Sequence, residues 1–79
     1  MPRSVVVVVA DGCHLCDAAL EVVRTVGEEV AFDLTVIGID GDPELESRYR
    51  TEIPVIEIDG VRAFTYFVSL DNLLARLRA

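Results

Sequence analysis

The chain contains no lysine: its seven bases are all arginine, set against fourteen acidic residues, for a formal net charge of −7. That balance argues against nucleic acid or an anionic membrane surface as the partner. It also disfavours acidic small thiols unless a local arginine compensates. There are only two cysteines, and they lie too close together to staple distant segments; a small secreted domain would show more of them, more widely spaced. A single histidine, His14, is present. An intramolecular four-ligand zinc site therefore cannot be completed without carboxylates. No apolar stretch approaches the length of a membrane span. The run at residues 5–10, following Arg3, is too short and too β-branched for a signal peptide, and Asp11 ends it without a small-residue cleavage site. Internal repeats, linkers and low-complexity segments are also missing.

What remains is material for one small domain over residues 1–79. The apolar fraction of 52% is enough for a core, though at this length a single core is only just sufficient.

Cys13-His14-Leu15-Cys16 carries the most information. The two thiols stand three positions apart, just after the valine run at residues 5–9, with Asp11-Gly12 as a turn before them. From Cys13 onward the pattern is helical, with Leu15, Ala18, Ala19, Val22, Val23 and Val26 recurring on one face and Gly27 as the expected stop. Cys13 therefore falls at a helix N-terminus, where unpaired N–H groups and the positive end of the dipole favour a thiolate. A thiolate is the attacking species in disulfide exchange, and at such a site its pKa can fall to roughly 3.5–7.5. Cys16, one turn on, is placed to attack a mixed disulfide on Cys13. A C-x-x-C in a strand–helix–strand pattern reads as redox-active and cytoplasmic. Two other readings stay open: thiolate ligation of a metal or iron–sulfur cluster, and inert thiols in an adaptor that keeps only the fold. An imidazolium at His14 would stabilise the Cys13 thiolate and make the disulfide more oxidising. Asp11 and Asp17 act in the opposite sense, and the plainer reading of His14 is a solvated side chain at a helix start.

The remaining elements follow from periodicity. Residues 4–10 form a strand buried on both faces. Residues 30–39 form a second, with Phe32, Leu34 and Val36 alternating against Asp33 and Thr35. A short polar helix over residues 43–49 starts at Pro43, with Asp42 as N-cap. Residues 55–58 and 61–67 make a hairpin about Asp59-Gly60, a type I′ turn signal. In this reading Phe64, Tyr66 and Phe67 complete the core and edge strand, and Tyr49 is left open. Leu70, Leu73, Leu74 and Leu77 form one face of a closing helix, with Ser69 as N-cap. The order is β-α-β-α-β-β-α. The first two strands are parallel through a helical crossover and the last two antiparallel through a hairpin, giving an α/β fold with a mixed four-stranded sheet flanked by helices.

The strand at residues 5–10, the Cys13-His14-Leu15-Cys16 motif opening a helix and the segment Ile53-Pro54-Val55-Ile56-Glu57-Ile58-Asp59-Gly60 together resemble the glutaredoxin branch of the thioredoxin-like superfamily. The stretch GCHLCDAA at residues 12–19 is similar to small bacterial glutaredoxin-like proteins. The resemblance implies a thioredoxin-like fold and thiol–disulfide oxidoreductase activity, with Cys13 attacking and Cys16 resolving. It implies a cis Ile53–Pro54 bond facing the cysteine pair, freeing the Ile53 backbone to pair with an extended substrate. It places Ile53, Pro54 and Asp71 at the substrate, and His14, by its position beside Cys13, is read as a fourth residue there. It also leaves room for a cluster bridged between two chains with an added thiol. The departures are specific. His14-Leu15 replaces the usual Pro-Tyr, and Asp11 and Gly12 stand where a basic residue is common. Val68-Ser69 stands where a Gly-Gly pair helps hold glutathione, although Asp71 fits the acidic position that follows. Nor does the first strand offer anything like the buried aspartate of thioredoxins. The expectation is a monomer without a tightly bound cofactor or metal, acting on a disulfide-bearing protein or small molecule, with glutathione or another low-molecular-weight thiol as a candidate reductant.

Overall fold

The computed structural model describes residues 2–79. Its elements are β1 (Arg3–Val9), α1 (His14–Gly27), β2 (Phe32–Gly38), α2 (Pro43–Tyr49), β3 (Val55–Ile58), β4 (Val61–Thr65) and α3 (Leu70–Arg78). The four strands form one sheet in the order β2-β1-β3-β4. β1 runs parallel to β2, from Arg3 opposite Phe32 to Val9 opposite Gly38. It runs antiparallel to β3, from Val5 opposite Ile58 to Val8 opposite Val55. β3 pairs antiparallel with β4, with an irregularity between Ile56 and Glu57.

Side-chain alternation along a strand sends neighbours to opposite faces, and both faces of β1 are covered. Val5 and Val7 join Ile56 and Ile58 of β3 beneath Ala19, Val23 and Val26 of α1 and Leu73 and Leu77 of α3. On the other face Val8 and Val55 pack with Ile39 and Tyr49. Tyr49, ambiguous in the sequence, is thus a core residue of the α2 layer. Each fully buried valine contributes on the order of 1.5–3 kcal/mol, which is why an almost uninterrupted valine strand sits at the sheet's centre.

β2 is shorter than the 30–39 read from periodicity, spanning Phe32–Gly38. It is an edge strand, and Leu34 and Val36 stand 39% and 44% exposed. The first core draws on α1 and α3 over β1 and β3, and only Phe32 of β2 reaches it, as a half-buried neighbour. The alternation there was real, but no helix covers that part of its apolar face.

The caps follow the residue chemistry. Asp42 accepts hydrogen bonds from the Glu44 and Leu45 N–H groups at 3.1 and 3.2 Å, and Ser69 accepts one from Asn72 N–H at 3.1 Å, satisfying donors that a helix leaves orphaned. Asp59 and Gly60 take φ of 51° and 81°, the paired positive values of a type I′ hairpin turn. Gly27 behaves otherwise. It is the last residue of α1, and the cap is Glu28 in ordinary right-handed conformation, its N–H donating to Thr25 and Val26 carbonyls. A left-handed glycine cap is therefore not used, and a Cβ at Gly27 would meet the Phe32 ring at 3.4 Å, an ordinary contact.

The hairpin also ends early, at Thr65 rather than Phe67. Tyr66 takes φ of 65°, outside the extended region of a strand, and both aromatics of the expected strand end lie exposed: Phe67 at 74%, Tyr66 less so. Phe64 alone of the three packs against the core. No helix among the described residues is long and apolar enough to cross a membrane.

Candidate redox site

The register decides what surrounds the cysteines. Val8 pairs with Val55 and Val55 with Thr65. The C-terminal end of β1, the start of β3 and the end of β4 therefore share one end of the sheet. The turn to Cys13, the Ile53–Pro54 bond, and the Tyr66-Phe67 segment leading to α3 all emerge there. The parallel pairing of Val9 with Gly38 brings the β2–α2 connection to the same end.

Within this end, the chain leaves β1 through Asp11-Gly12, where Gly12 has φ of +71°, a left-handed conformation natural to glycine. Asp11 N–H donates to Asp40 Oδ2 at 2.7 Å, tying the turn to the β2–α2 connection. Asp40 was not legible as a site residue, since nothing in the sequence marks a partner 29 positions away.

Cys13 is the N-cap of α1. Its backbone is extended, at φ −93° and ψ 106°, and its Sγ accepts a hydrogen bond from Cys16 N–H at 3.1 Å. Its carbonyl accepts from Asp17 N–H at 3.1 Å, closing the first turn. Sulfur here takes the place that a serine or aspartate oxygen holds at other caps. In the dithiol, an N–H donated to this sulfur would favour the thiolate over the thiol, and the helix dipole acts in the same direction.

Cys16 lies one turn inside and is 1% exposed, whereas Cys13 is only half-buried. The two are joined in a disulfide with their Cα atoms 5.2 Å apart, within the range such a bond requires. Among the described residues, no three His, Cys, Asp or Glu side chains gather as a metal-holding group.

Of the other expected site residues, His14 is the first residue of α1 and is exposed. The Ile53–Pro54 bond is cis, with Pro54 buried and Ile53 half-buried. Asp71 lies exposed in the first turn of α3, whose N-terminus is at the same sheet end. All six are thus gathered at one end of the fold. Sequence reasoning missed Tyr66 as a bracing residue: its N–H donates to the Pro54 carbonyl at 2.9 Å and its hydroxyl to the Thr51 carbonyl at 2.8 Å. Two adjacent aromatics just before a helix N-cap were the available signal.

Two solved structures of similar length are alike over nearly the whole chain. Protein Ne2328 from Nitrosomonas europaea is 33% identical, with a TM-score of 0.79 over 98% of this chain and 93% of its own. Protein XcR50 from X. campestris is 30% identical, also with a TM-score of 0.79, over 94% of this chain and 95% of its own. Thioredoxin-2 of the malaria parasite, at 17% identity, shares the fold with a TM-score of 0.75 over 98% of this chain and 82% of its own. No curated protein matches. The fold is thioredoxin-like, and its Cys13–Cys16 disulfide supports a redox role. Residues 4–78 match the family described as Glutaredoxin-like domain (DUF836), and the chain belongs to that family.

Proposed function

We propose that the protein is a dithiol–disulfide oxidoreductase in which Cys13 is the nucleophile and Cys16 the resolving thiol. In the reduced protein the Cys13 thiolate attacks one sulfur of a substrate disulfide. A Cys13–substrate disulfide forms, and the other substrate sulfur leaves as a thiolate. Cys16 then loses its proton to solvent or to that leaving thiolate, and its sulfur attacks Cys13 Sγ. The mixed disulfide breaks, the second substrate thiolate departs, and the Cys13–Cys16 disulfide remains. The substrate has gained two electrons and the protein has lost them. A low-molecular-weight thiol or a reductase returns them by the reverse exchange, and the relative potentials set the direction.

The observation that carries this reading is the asymmetry of the pair. Cys13 Sγ caps the helix and receives the Cys16 N–H, while Cys16 is buried beneath it, within bonding reach. One sulfur is thus available to a partner and the other only to its neighbour. Ile53, Pro54 and Asp71, with His14 beside the nucleophile, are the proposed contacts for substrate at this end of the sheet.

A redox titration of the Cys13–Cys16 couple against defined thiol–disulfide buffers tests the reading. A single two-electron transition, absent from Cys13→Ser, is the expected result. Failure of the reduced protein to exchange with any disulfide would overturn it.

A further inference from the structure

At the sheet end that carries the disulfide, the chain goes to some length to hold an aromatic ring in water. Phe67 N–H donates to the Thr65 carbonyl at 2.7 Å, closing a three-residue turn about Tyr66 at φ 65°. A γ-turn with positive φ is rare and strained, and for a bulky residue such a conformation persists only when its surroundings over-determine it. Here the bonds from Tyr66 to Pro54 and Thr51 do so. The consequence is Phe67, 74% exposed, followed by exposed Leu70 in the first turn of α3, with exposed Leu15 in the first turn of α1. These apolar groups share the sheet end that carries Cys13.

The charges at that end are predominantly negative. Asp11 and Asp40 flank the turns after β1 and β2, Asp42 caps α2, and Asp17 and Asp71 lie in the first turns of α1 and α3. All five are exposed, and none is in an ion pair among the described residues. His14 is the one basic side chain among them. Four of the seven arginines are at the other end of the sheet. Arg3 starts β1 and donates to the Arg76 and Leu77 carbonyls at the end of α3, so Arg76 and Arg78 lie at the opposite end, as does Arg24 in the last turn of α1. Of the other three, Arg50 and Arg62 are paired with Glu46 and Glu52, and Arg48, over the Tyr49 ring, keeps its charge outside an ion pair among the described residues. A seven-residue strand at about 3.3 Å per residue separates the two ends by roughly 20 Å. That is about two screening lengths at 0.1 M salt. The far arginines therefore do not cancel the field around the disulfide.

We infer that the disulfide end selects its partner by charge and by one apolar contact: it docks an extended, cationic peptide segment carrying the target disulfide. An apolar side chain of the segment covers Phe67, and its arginine or lysine residues lie among Asp11, Asp17 and Asp71. The inference rests on the disulfide-exchange reading above and names the substrate class of that site. Anionic disulfides, including oxidised glutathione, are repelled by the same field. A second copy of this chain is a poor occupant, since each copy carries a net charge of −7.

The test is stopped-flow exchange between the reduced protein and three peptide disulfides that share one scaffold, with arginine, serine or glutamate flanking the cysteine. A small neutral disulfide, 2-hydroxyethyl disulfide, serves as reference. At low ionic strength the arginine peptide should react at least about tenfold faster than the glutamate peptide, and the ratio should collapse in high salt. The double variant Asp17→Asn, Asp71→Asn should shrink the ratio. Phe67→Ala should slow all three peptides more than the small disulfide. Equal rates for the three peptides at low salt, or a preference for the anionic one, would overturn the inference while leaving the exchange chemistry standing. So would rates that fall with protein concentration through self-association and show no charge dependence. No reaction with any disulfide, the small one included, would remove the exchange reading and this inference with it.

Discussion

Cys16 donates its backbone N–H to Cys13 Sγ at 3.1 Å, so the residue that would resolve a mixed disulfide is also the one whose amide favours the attacking sulfur as an anion. The same helical turn supplies both functions, because here the N-cap acceptor takes its bond from the N–H three positions on.

From this follows the order of reactivity. In the reduced protein, iodoacetamide should label Cys13 before Cys16, with an apparent pKa below the ordinary thiol value of about 8.5. Mass spectrometry of the labelled peptide across pH reads it. Preferential labelling of Cys16 would reverse the assigned roles. Cys16→Ser should accumulate a mixed disulfide with substrate, and Cys13→Ser should not.

Glutathione is expected to be a poor reductant. Where a glycine pair would open the last helix, Ser69 is committed to its own helix as N-cap. The carboxylates around the disulfide, moreover, oppose an anionic thiol. Turnover in a coupled assay with glutathione and glutathione reductase should be weak beside that of ordinary glutaredoxins. Saturable, rapid turnover at millimolar glutathione would show that Asp71 and the partial motif suffice.

Gly27 is a residue the fold does not require. It sits at the end of α1 without positive φ, and the space beside it admits a methyl group at van der Waals distance from Phe32. Gly27→Ala should therefore stabilise the protein, by about 0.4–1 kcal/mol, chiefly by narrowing the unfolded ensemble. A urea midpoint that falls would show that the Phe32 ring does not tolerate the contact.

Asp59 should make stability depend on acid. Its carboxylate accepts from Ser4 N–H at 2.9 Å and from Arg3 Nε at 2.8 Å. The backbone bond first, and then the arginine, hold its pKa below the ordinary 3.8. A carboxylate with a depressed folded-state pKa contributes stability above its unfolded value and loses it as pH falls through the folded value. Asp59→Asn keeps a residue that tolerates the turn's positive φ but removes the charge. Its urea midpoint should lie below wild type at neutral pH, and the gap should close as pH drops beneath 3.8. A gap independent of pH would mean that the ion pair does not contribute.

Much of this protein is decided locally, and those parts are legible in the chain. The valine strand, the caps at Asp42 and Ser69, the Asp59-Gly60 turn and the placement of Cys13 at a helix start each follow from a few neighbouring residues. The directions within each strand pair follow as well, because a helical crossover enforces parallel pairing and a two-residue turn enforces antiparallel pairing; the seating of β3 antiparallel beside β1 does not. The tertiary structure alone decided which apolar residues stay in water and which distant groups meet. Leu34 and Val36 look like core residues until β2 proves to be an uncovered edge. Phe67 looks like a strand end until Tyr66, held by Pro54 and Thr51, turns it outward. Asp40 reaches Asp11 only because β1 and β2 end side by side. Local preference acts over a turn or a cap. Exposure and field depend on contacts between residues far apart in the chain, and no short window of sequence contains them.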